Sequence, residues 1–292
     1  MRFFLEPASP RRATVTGRLA PTPSGTLHLG NALAFGAAWL SARAVGGRVL
    51  LRVEDLDRGR AREAVAQSQR DDLRWLGIDW DEETAPQSMR TYDLAGIDAY
   101  PCACARAARL AGRCACRDAS TLVVVDPERC AWRLRSPRHA VAWVDRARGP
   151  QLHVPDDDPV LVRAGGEAGY PLAVVVDDAR DGVTEVVRGA DLVEATAAQV
   201  VLHEMLGLPR PTYLHVPLLL GLDGRKLGKS HGSTDVRALR AARWMPEDVW
   251  RRLLPLLGLE GPTTLAEAVG AFDAARVQRG PFCVGDDGSV AG

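Results

Sequence analysis

The sequence predicts an α/β fold built on a parallel sheet, interrupted by a cysteine-rich insertion and followed by a short helical region. Three observations predict it. Strand-like segments, "ATVTGRLAP" and "RVLLRVEDLD", alternate with helical ones, an order that gives parallel strands joined by right-handed crossovers. Four of the six cysteines crowd into residues 102–116. Only 62 residues follow Ser230, partly helical in pattern ("MPEDVWRRLLPLLG").

The elements follow in order. Residues 1–13 read as a loose leader without the apolar core and cleavage site of a secretion signal. The first strand ends at a Pro-Gly turn, "APTPSGTLHLG". A helix starts near Gly30, with Leu33, Ala37, Leu40 and Ala44 at helical spacing, and closes at Gly46–Gly47. "RVLLRVEDLD" is a buried strand with an acidic end, and "REAVAQSQRDDLRWLGIDW" a polar-faced helix ending at Gly77. Residues 101–150 break this rhythm and are read as the insertion. The sheet pattern resumes at "PLAVVVDD" and "GVTEVVRGADL". A helix over 190–207 follows, then the strand "TYLHVPLLL". The Gly-rich tail, 284–292, is expected to be disordered. The expected organisation is therefore 14–100 and 151–231 as two halves of one sheet domain, 101–150 as the insertion and 232–292 as a helical end.

Acidic and basic residues balance at 37 each, which excludes a protein coated with phosphate-binding charge but leaves room for a local basic face. No stretch reaches 18 consecutive apolar residues, so no membrane span is expected. The expectation is a cytoplasmic protein, a monomer, in a reducing compartment.

Two loops have the chemistry of phosphate sites. "PTPSGTLHLGN" places a Pro/Gly turn between a buried strand and a helix N-terminus, where unsatisfied N–H groups and a partial positive charge attract anions. Gly30 would admit a ligand close to the backbone, and His28 has a hydrogen bond to donate. The second loop is "DGRKLGKSHG". Lys226 and Lys229 are the only lysines of the chain; every other basic residue is arginine. An ammonium on a flexible stem is a mobile point charge, whereas a guanidinium is a rigid fork. A loop that follows a polyphosphate as its charge shifts suits the former. Gly224 and Gly228 let the loop bend. His231 beside it is a further candidate phosphate contact.

The cysteines Cys102, Cys104, Cys114 and Cys116 have the spacing C-x-C, nine residues, C-x-C. Four clustered thiolates suit one tetrahedral Zn²⁺, and a closed site leaves no position for substrate, so the expected role is structural. Cys130 and Cys283 stand apart. His139, His153, His203 and His215 show no ligand spacing and are read as structural.

With both loops in view, the chain resembles the class I aminoacyl-tRNA synthetases. "LHLGN" (27–31) is similar to their HIGH signature and "KLGKS" (226–230) to KMSKS. "GRLAPTPSGTLHLGNA", "LLRVEDLDRGR", "LAVVVDD" and "GVTEVVRGADL" resemble the glutamyl branch, over residues 14–231. The resemblance implies a Rossmann-like (HUP-type) nucleotide-binding sheet clamping ATP between the two loops. Within the branch the likeness is to the shortened glutamyl-Q tRNA(Asp) synthetases, because 62 residues cannot supply the large helical anticodon-binding region of full glutamyl-tRNA synthetases.

Carried over by position, Arg18, Leu19, Ala20, Pro21 and Thr22 would form one wall of a glutamate pocket. Tyr170 and Arg188 would face it, and Glu54 would receive the α-ammonium. His28, Gly30, Asn31 and Lys229 would bind ATP, with Lys226 assisting, and Mg²⁺ would accompany the nucleotide. The implied reaction is attack of a glutamate carboxylate on the α-phosphorus of ATP, with His28, Lys226 and Lys229 neutralising the pyrophosphate. Glutamate would then pass to queuosine in the anticodon of tRNA(Asp). Two alternatives stand beside it: a truncated enzyme charging the 3′ end of tRNA(Glu), and a non-catalytic tRNA-binding relic. The chain departs from the family pattern in three places. Asn31 replaces the second His of HIGH, Gly228 replaces a Ser of KMSKS, and Pro171 biases Tyr170 toward an extended backbone.

Overall fold

A computed structural model describes residues 14–57, 59, 61–105, 109, 115–118, 126, 129–155, 157–228, 234–285 and 287–291. Strand β1 (Thr16–Leu19) pairs in parallel with β2 (Arg48–Leu51), and β2 with the short β3 (Glu82–Glu83). Helix α1 (Leu29–Arg43) connects the first two strands and α2 (Glu63–Trp75) the second and third. On the other side, β9 (Glu185–Gly189) and β10 (Thr212–Val216) are parallel and joined by α4 (Ala195–Met205). The two groups meet edge to edge where Thr184 N–H donates to Thr16 C=O at 2.9 Å. The chain therefore runs outward in both directions from the β1/β9 seam. In an open α/β sheet the crevice at such a reversal, beyond the carboxyl ends of the strands, is where ligands sit.

Both faces of this sheet are covered, as a parallel sheet requires. Side chains alternate between two cores: Val49, Leu51, Val187, Leu214 and Val216 enter one, and Leu50, Val186 and Tyr213 the other. The first core is closed by α1 and the C-terminal helices α5 (Val236–Ala241), α6 (Pro246–Leu253) and α7 (Leu265–Ala268). Trp250 is its anchor, buried and donating Nε1–H to Leu76 C=O at 2.8 Å. Its indole lies so close to α1 that a Cβ at Gly36 would fall 2.5 Å from Cη2.

Three segments differ from the sequence reading. "PLAVVVDD", expected as a strand, is helix α3 (Tyr170–Arg180), and Tyr170 opens it instead of staying extended. Pro171 occupies the first turn, where its fixed φ suits a helix and its missing N–H costs nothing. The helix buries Leu172, Ala173, Val174, Val175, Asp177 and Asp178, and a run apolar all round does not separate helix from strand by period. The segment 101–150 contributes its end to the main sheet: β6 (Val141–Asp145) pairs in parallel with β10 and carries the antiparallel β7 (Gly149–His153). The tail, expected to be disordered, contributes strands: β13 (Val290–Ala291) pairs with β12 (Phe282–Val284), which lies beside β11 (Leu219–Gly221).

Strands β4 (Ala99–Cys102), β5 (Ala131–Leu134) and β8 (Val160–Val162) form a separate antiparallel sheet that carries the cysteine cluster. Among the described residues no helix is long and apolar enough to cross a membrane.

Candidate active site

At the carboxyl ends of the strands flanking the seam lies a cavity of about 410 Å³. Arg18 and Ala20 reach it from β1, Glu54 from beyond β2, Arg188 from β9 and Tyr170 from the start of α3. The N-terminus of α1 supplies His28, Gly30 and Asn31, and the lysine loop supplies Lys226. A second lobe of about 260 Å³ shares Thr22, His28 and Asn31 and continues past Pro21, Gln69, Gly228 and Asp235. Leu19 lines neither lobe. Its side chain is in the core, on the opposite face of β1 from Arg18, as strand alternation demands. Lys229, Ser230 and His231 lie outside the described residues.

The α1 terminus is built by a capping box. His28 Nδ1 accepts from Asn31 N–H at 3.3 Å, and Asn31 Oδ1 accepts from His28 N–H at 3.1 Å. Because Nδ1 is the acceptor, a neutral His28 carries its proton on Nε2 and is a donor there. Asn31 therefore orients His28 as well as lining the cavity. Gly30 has a second reason to be glycine: a Cβ there would sit 3.1 Å from Nδ1 and Cε1 of His28. The start of α5, which follows the lysine loop in sequence, is tied to this terminus by a backbone bond, Val236 N–H donating to Leu27 C=O at 2.8 Å. Gln69 clamps the intervening turn by donating to Thr22 C=O at 2.9 Å and Gly25 C=O at 2.7 Å. Lys226 forms an ion pair with Asp191.

Behind the cavity is a buried charge network. Asp178 Oδ1 accepts from Arg18 Nε at 3.2 Å and from Arg52 Nη2 at 2.7 Å. Arg52, fully buried, also bonds Glu54 at 3.3 Å and Asp181 at 3.0 Å. Burial pushes the Asp178 carboxyl up, but the Arg18 and Arg52 guanidiniums outweigh it and hold it below the ordinary range. For Glu54 burial wins. Its carboxyl is raised despite Arg52 and Arg18, with the nearby Asp178 charge adding to the rise. The two guanidiniums thus do not fully offset the burial of the Glu54 carboxylate.

Arg188 is held on three sides. Its Nε–H donates to His215 Nε2 at 3.1 Å, Nη2 to Thr196 Oγ1 at 2.8 Å, and Nη1 to the Tyr170 hydroxyl at 3.4 Å. His215 in turn lies 2.6 Å through Nδ1 from Asp145 Oδ2. Sequence reasoning left His215 as structural and passed over Arg52, Gln69, Asp145 and Asp178. The available signal was ionisable residues inside apolar runs, in "VVVDD" and "YLHVPLLL", since such residues are buried only with partners.

Away from this cavity, Cys102, Cys104 and Cys116 bring their sulfurs within 4.8 Å of one another, Cys104 and Cys116 being 3.6 Å apart. Tetrahedral bonds of about 2.3 Å set sulfurs ~3.8 Å apart, so the cluster fits a metal ion. Cys114 lies outside the described residues.

An open parallel sheet with a two-lobed cavity beyond the carboxyl ends of its strands is the architecture of an α/β ligand-binding protein, and comparison with known proteins gives the class. Residues 14–98 and 114–268 match the family "tRNA synthetases class I (E and Q), catalytic domain", and the chain belongs to that family. Within it, the chain groups with proteins named glutamyl-Q tRNA(Asp) synthetase. That of Symbiobacterium thermophilum is 40% identical, over 91% of this chain and 94% of its own. That of Deinococcus radiodurans is 43% identical over 88% and 94%, and that of Nocardia farcinica 42% over 93% and 94%. A glutamate-tRNA synthetase structure from Elizabethkingia anophelis superposes with a TM-score of 0.76 at 24% identity, covering 91% of this chain and 68% of that one. A glutamate tRNA ligase from Elizabethkingia meningosepticum, in complex with its amino acid, gives 0.73 at 22%, covering 91% and 67%. These two likenesses establish the shared fold.

Proposed function

We propose that this chain activates glutamate with ATP to glutamyl-adenylate and transfers the glutamate to queuosine in the anticodon of tRNA(Asp). One observation carries the reading. A single cavity joins two buried arginines and the Glu54 carboxylate to a helix N-terminus with a donor His28 and a lysine. The first set matches an acidic amino acid, with arginine forks for carboxylate and Glu54 for the α-ammonium. The second matches a polyphosphate. The curated relatives bear the corresponding name over nearly their whole length.

Arg18, Tyr170 and Arg188 hold glutamate so that one carboxylate oxygen faces the α-phosphorus. The O–P bond forms as the bond to pyrophosphate breaks. His28 Nε2–H and the α1 amides stabilise the departing charge, with Lys226 and Lys229 following it. Mg²⁺ entering with ATP supplies further neutralisation of the phosphates. A hydroxyl of the modified base then attacks the acyl carbon, and AMP leaves. Cys102, Cys104, Cys114 and Cys116 would hold one structural Zn²⁺, away from the chemistry.

The test is ATP–pyrophosphate exchange with each amino acid, followed by labelling of separated tRNAs. Exchange with glutamate, and label on queuosine-containing tRNA(Asp) whose 3′ end has been blocked by periodate, is expected. Label on tRNA(Glu) that periodate treatment abolishes would replace this reading with 3′-end charging. No exchange with any amino acid would leave a binding protein.

A further inference from the structure

The cavity arginine Arg188 is the end of a relay that crosses three neighbouring strands. Arg188 on β9 is directly opposite His215 on β10, and Asp145 on β6 is opposite Tyr213 on β10. The middle member is fully buried and Asp145 nearly so. The polarity of the chain of bonds is set by arginine, which only donates. Arg188 Nε–H points at His215 Nε2, so that nitrogen is the acceptor and the proton sits on Nδ1, aimed at Asp145 Oδ2 at 2.6 Å. Asp145 is itself fixed. Its Oδ1 accepts from Ala147 N–H at 2.9 Å and Arg148 N–H at 2.8 Å, while Oδ2 also accepts from His215 N–H at 3.0 Å.

Burial holds the His215 imidazole below its ordinary pKa, with Arg188 adding to that and Asp145 opposing it. The ring is neutral, as its acceptor role needs. With Nε spent on His215 and Nη2 on Thr196, the Nη1 side beside the Tyr170 hydroxyl is left for the cavity that both residues line.

We infer that Asp145 and His215 are positioning residues that select the His215 tautomer and thereby set the angle at which Arg188 presents its fork to substrate carboxylate. This rests on the reading of the cavity as a glutamate pocket. Neither residue touches the cavity, so each acts through Arg188 alone. Without the relay the guanidinium keeps its charge but turns about its stem. Carboxylate binding then weakens while the phosphate lobe is untouched.

The experiment is steady-state ATP–pyrophosphate exchange on the full chain and three variants, with thermal melts confirming that each is folded. His215→Phe keeps a ring but removes the acceptor. Asp145→Asn keeps the turn bonds but no longer holds the tautomer. His215→Gln can restore an acceptor oxygen toward Arg188. The expected result is a glutamate KM raised about tenfold or more in His215→Phe and Asp145→Asn, with the ATP KM within about twofold of wild type. His215→Gln should recover most of the loss, and selectivity for glutamate over glutamine should fall in step with KM. An unchanged glutamate KM in folded Asp145→Asn overturns the inference, as does a parallel rise in both KM values or a His215→Gln no better than His215→Phe. If His215→Phe does not fold, Asp145→Asn against His215→Gln decides it. Wild-type protein that shows no glutamate-dependent exchange would instead overturn the pocket assignment itself.

Discussion

Asp178→Asn isolates the energetics of the charge network. The substitution keeps the shape of the side chain and removes one charge between Arg18 and Arg52, in a group of side chains no more than 4% exposed. Two unit charges about 4 Å apart interact by about 4 kcal/mol at the effective dielectric of ~20 suited to such sites. Two such attractions are lost, offset by no longer having to desolvate the carboxylate. Removal of one partner from a buried ion pair costs about 3–5 kcal/mol in net terms, a large part of the roughly 5–15 kcal/mol that keeps a domain folded. With a urea m-value of about 3 kcal/mol/M, the midpoint should fall by about 1–1.7 M. Since the folded Asp178 pKa is depressed, its contribution is complete above the ordinary aspartate pKa and is lost as pH falls through the lowered value. The two proteins should therefore converge in acid. Arg52→Met introduced into Asp178→Asn should cost less than Arg52→Met alone, because the unpaired charge is already present. Equilibrium urea unfolding at neutral pH is the assay. A loss below about 1 kcal/mol with unchanged m would show that the network is hydrated and that this electrostatic account is wrong.

Glu54 should govern the acid side of glutamate binding. Its raised pKa means that it neutralises at higher pH than an ordinary carboxylate, so on acidification glutamate KM should start to rise at a higher pH than an ordinary carboxylate would cause; Glu54→Gln should raise KM and flatten that profile. Lys229→Arg keeps the charge but stiffens and enlarges its carrier; adenylate formation should fall at least about tenfold with the urea midpoint unchanged, and a wild-type rate would mean that any cation suffices. Purified protein should hold about one Zn²⁺ per chain. Its removal by a chelator should lower the melting temperature and loosen the 101–135 region in hydrogen exchange, while glutamate-dependent exchange in the remaining folded protein persists.

Much of the candidate site was legible in the residues themselves. A Pro-Gly turn feeding a helix, two lysines in an arginine-rich chain and paired C-x-C motifs are local patterns, and local chemistry needs only neighbours in sequence. The positions Arg18, Glu54, Tyr170 and Arg188 came from resemblance, and the structure brings all four to one cavity. Three things were decided only in three dimensions. "PLAVVVDD" is a helix whose residues do not announce it, because burial on nearly every side erases the period that distinguishes helix from strand. Asp178 is a partner of Arg18 although 160 residues separate them. His215 and Asp145 meet because β10 lies between β9 and β6, an order that the chain never spells out. Side-chain type and spacing determine what a segment can do. Which buried charges face each other depends on strand order, and that is settled by the packing of the whole sheet.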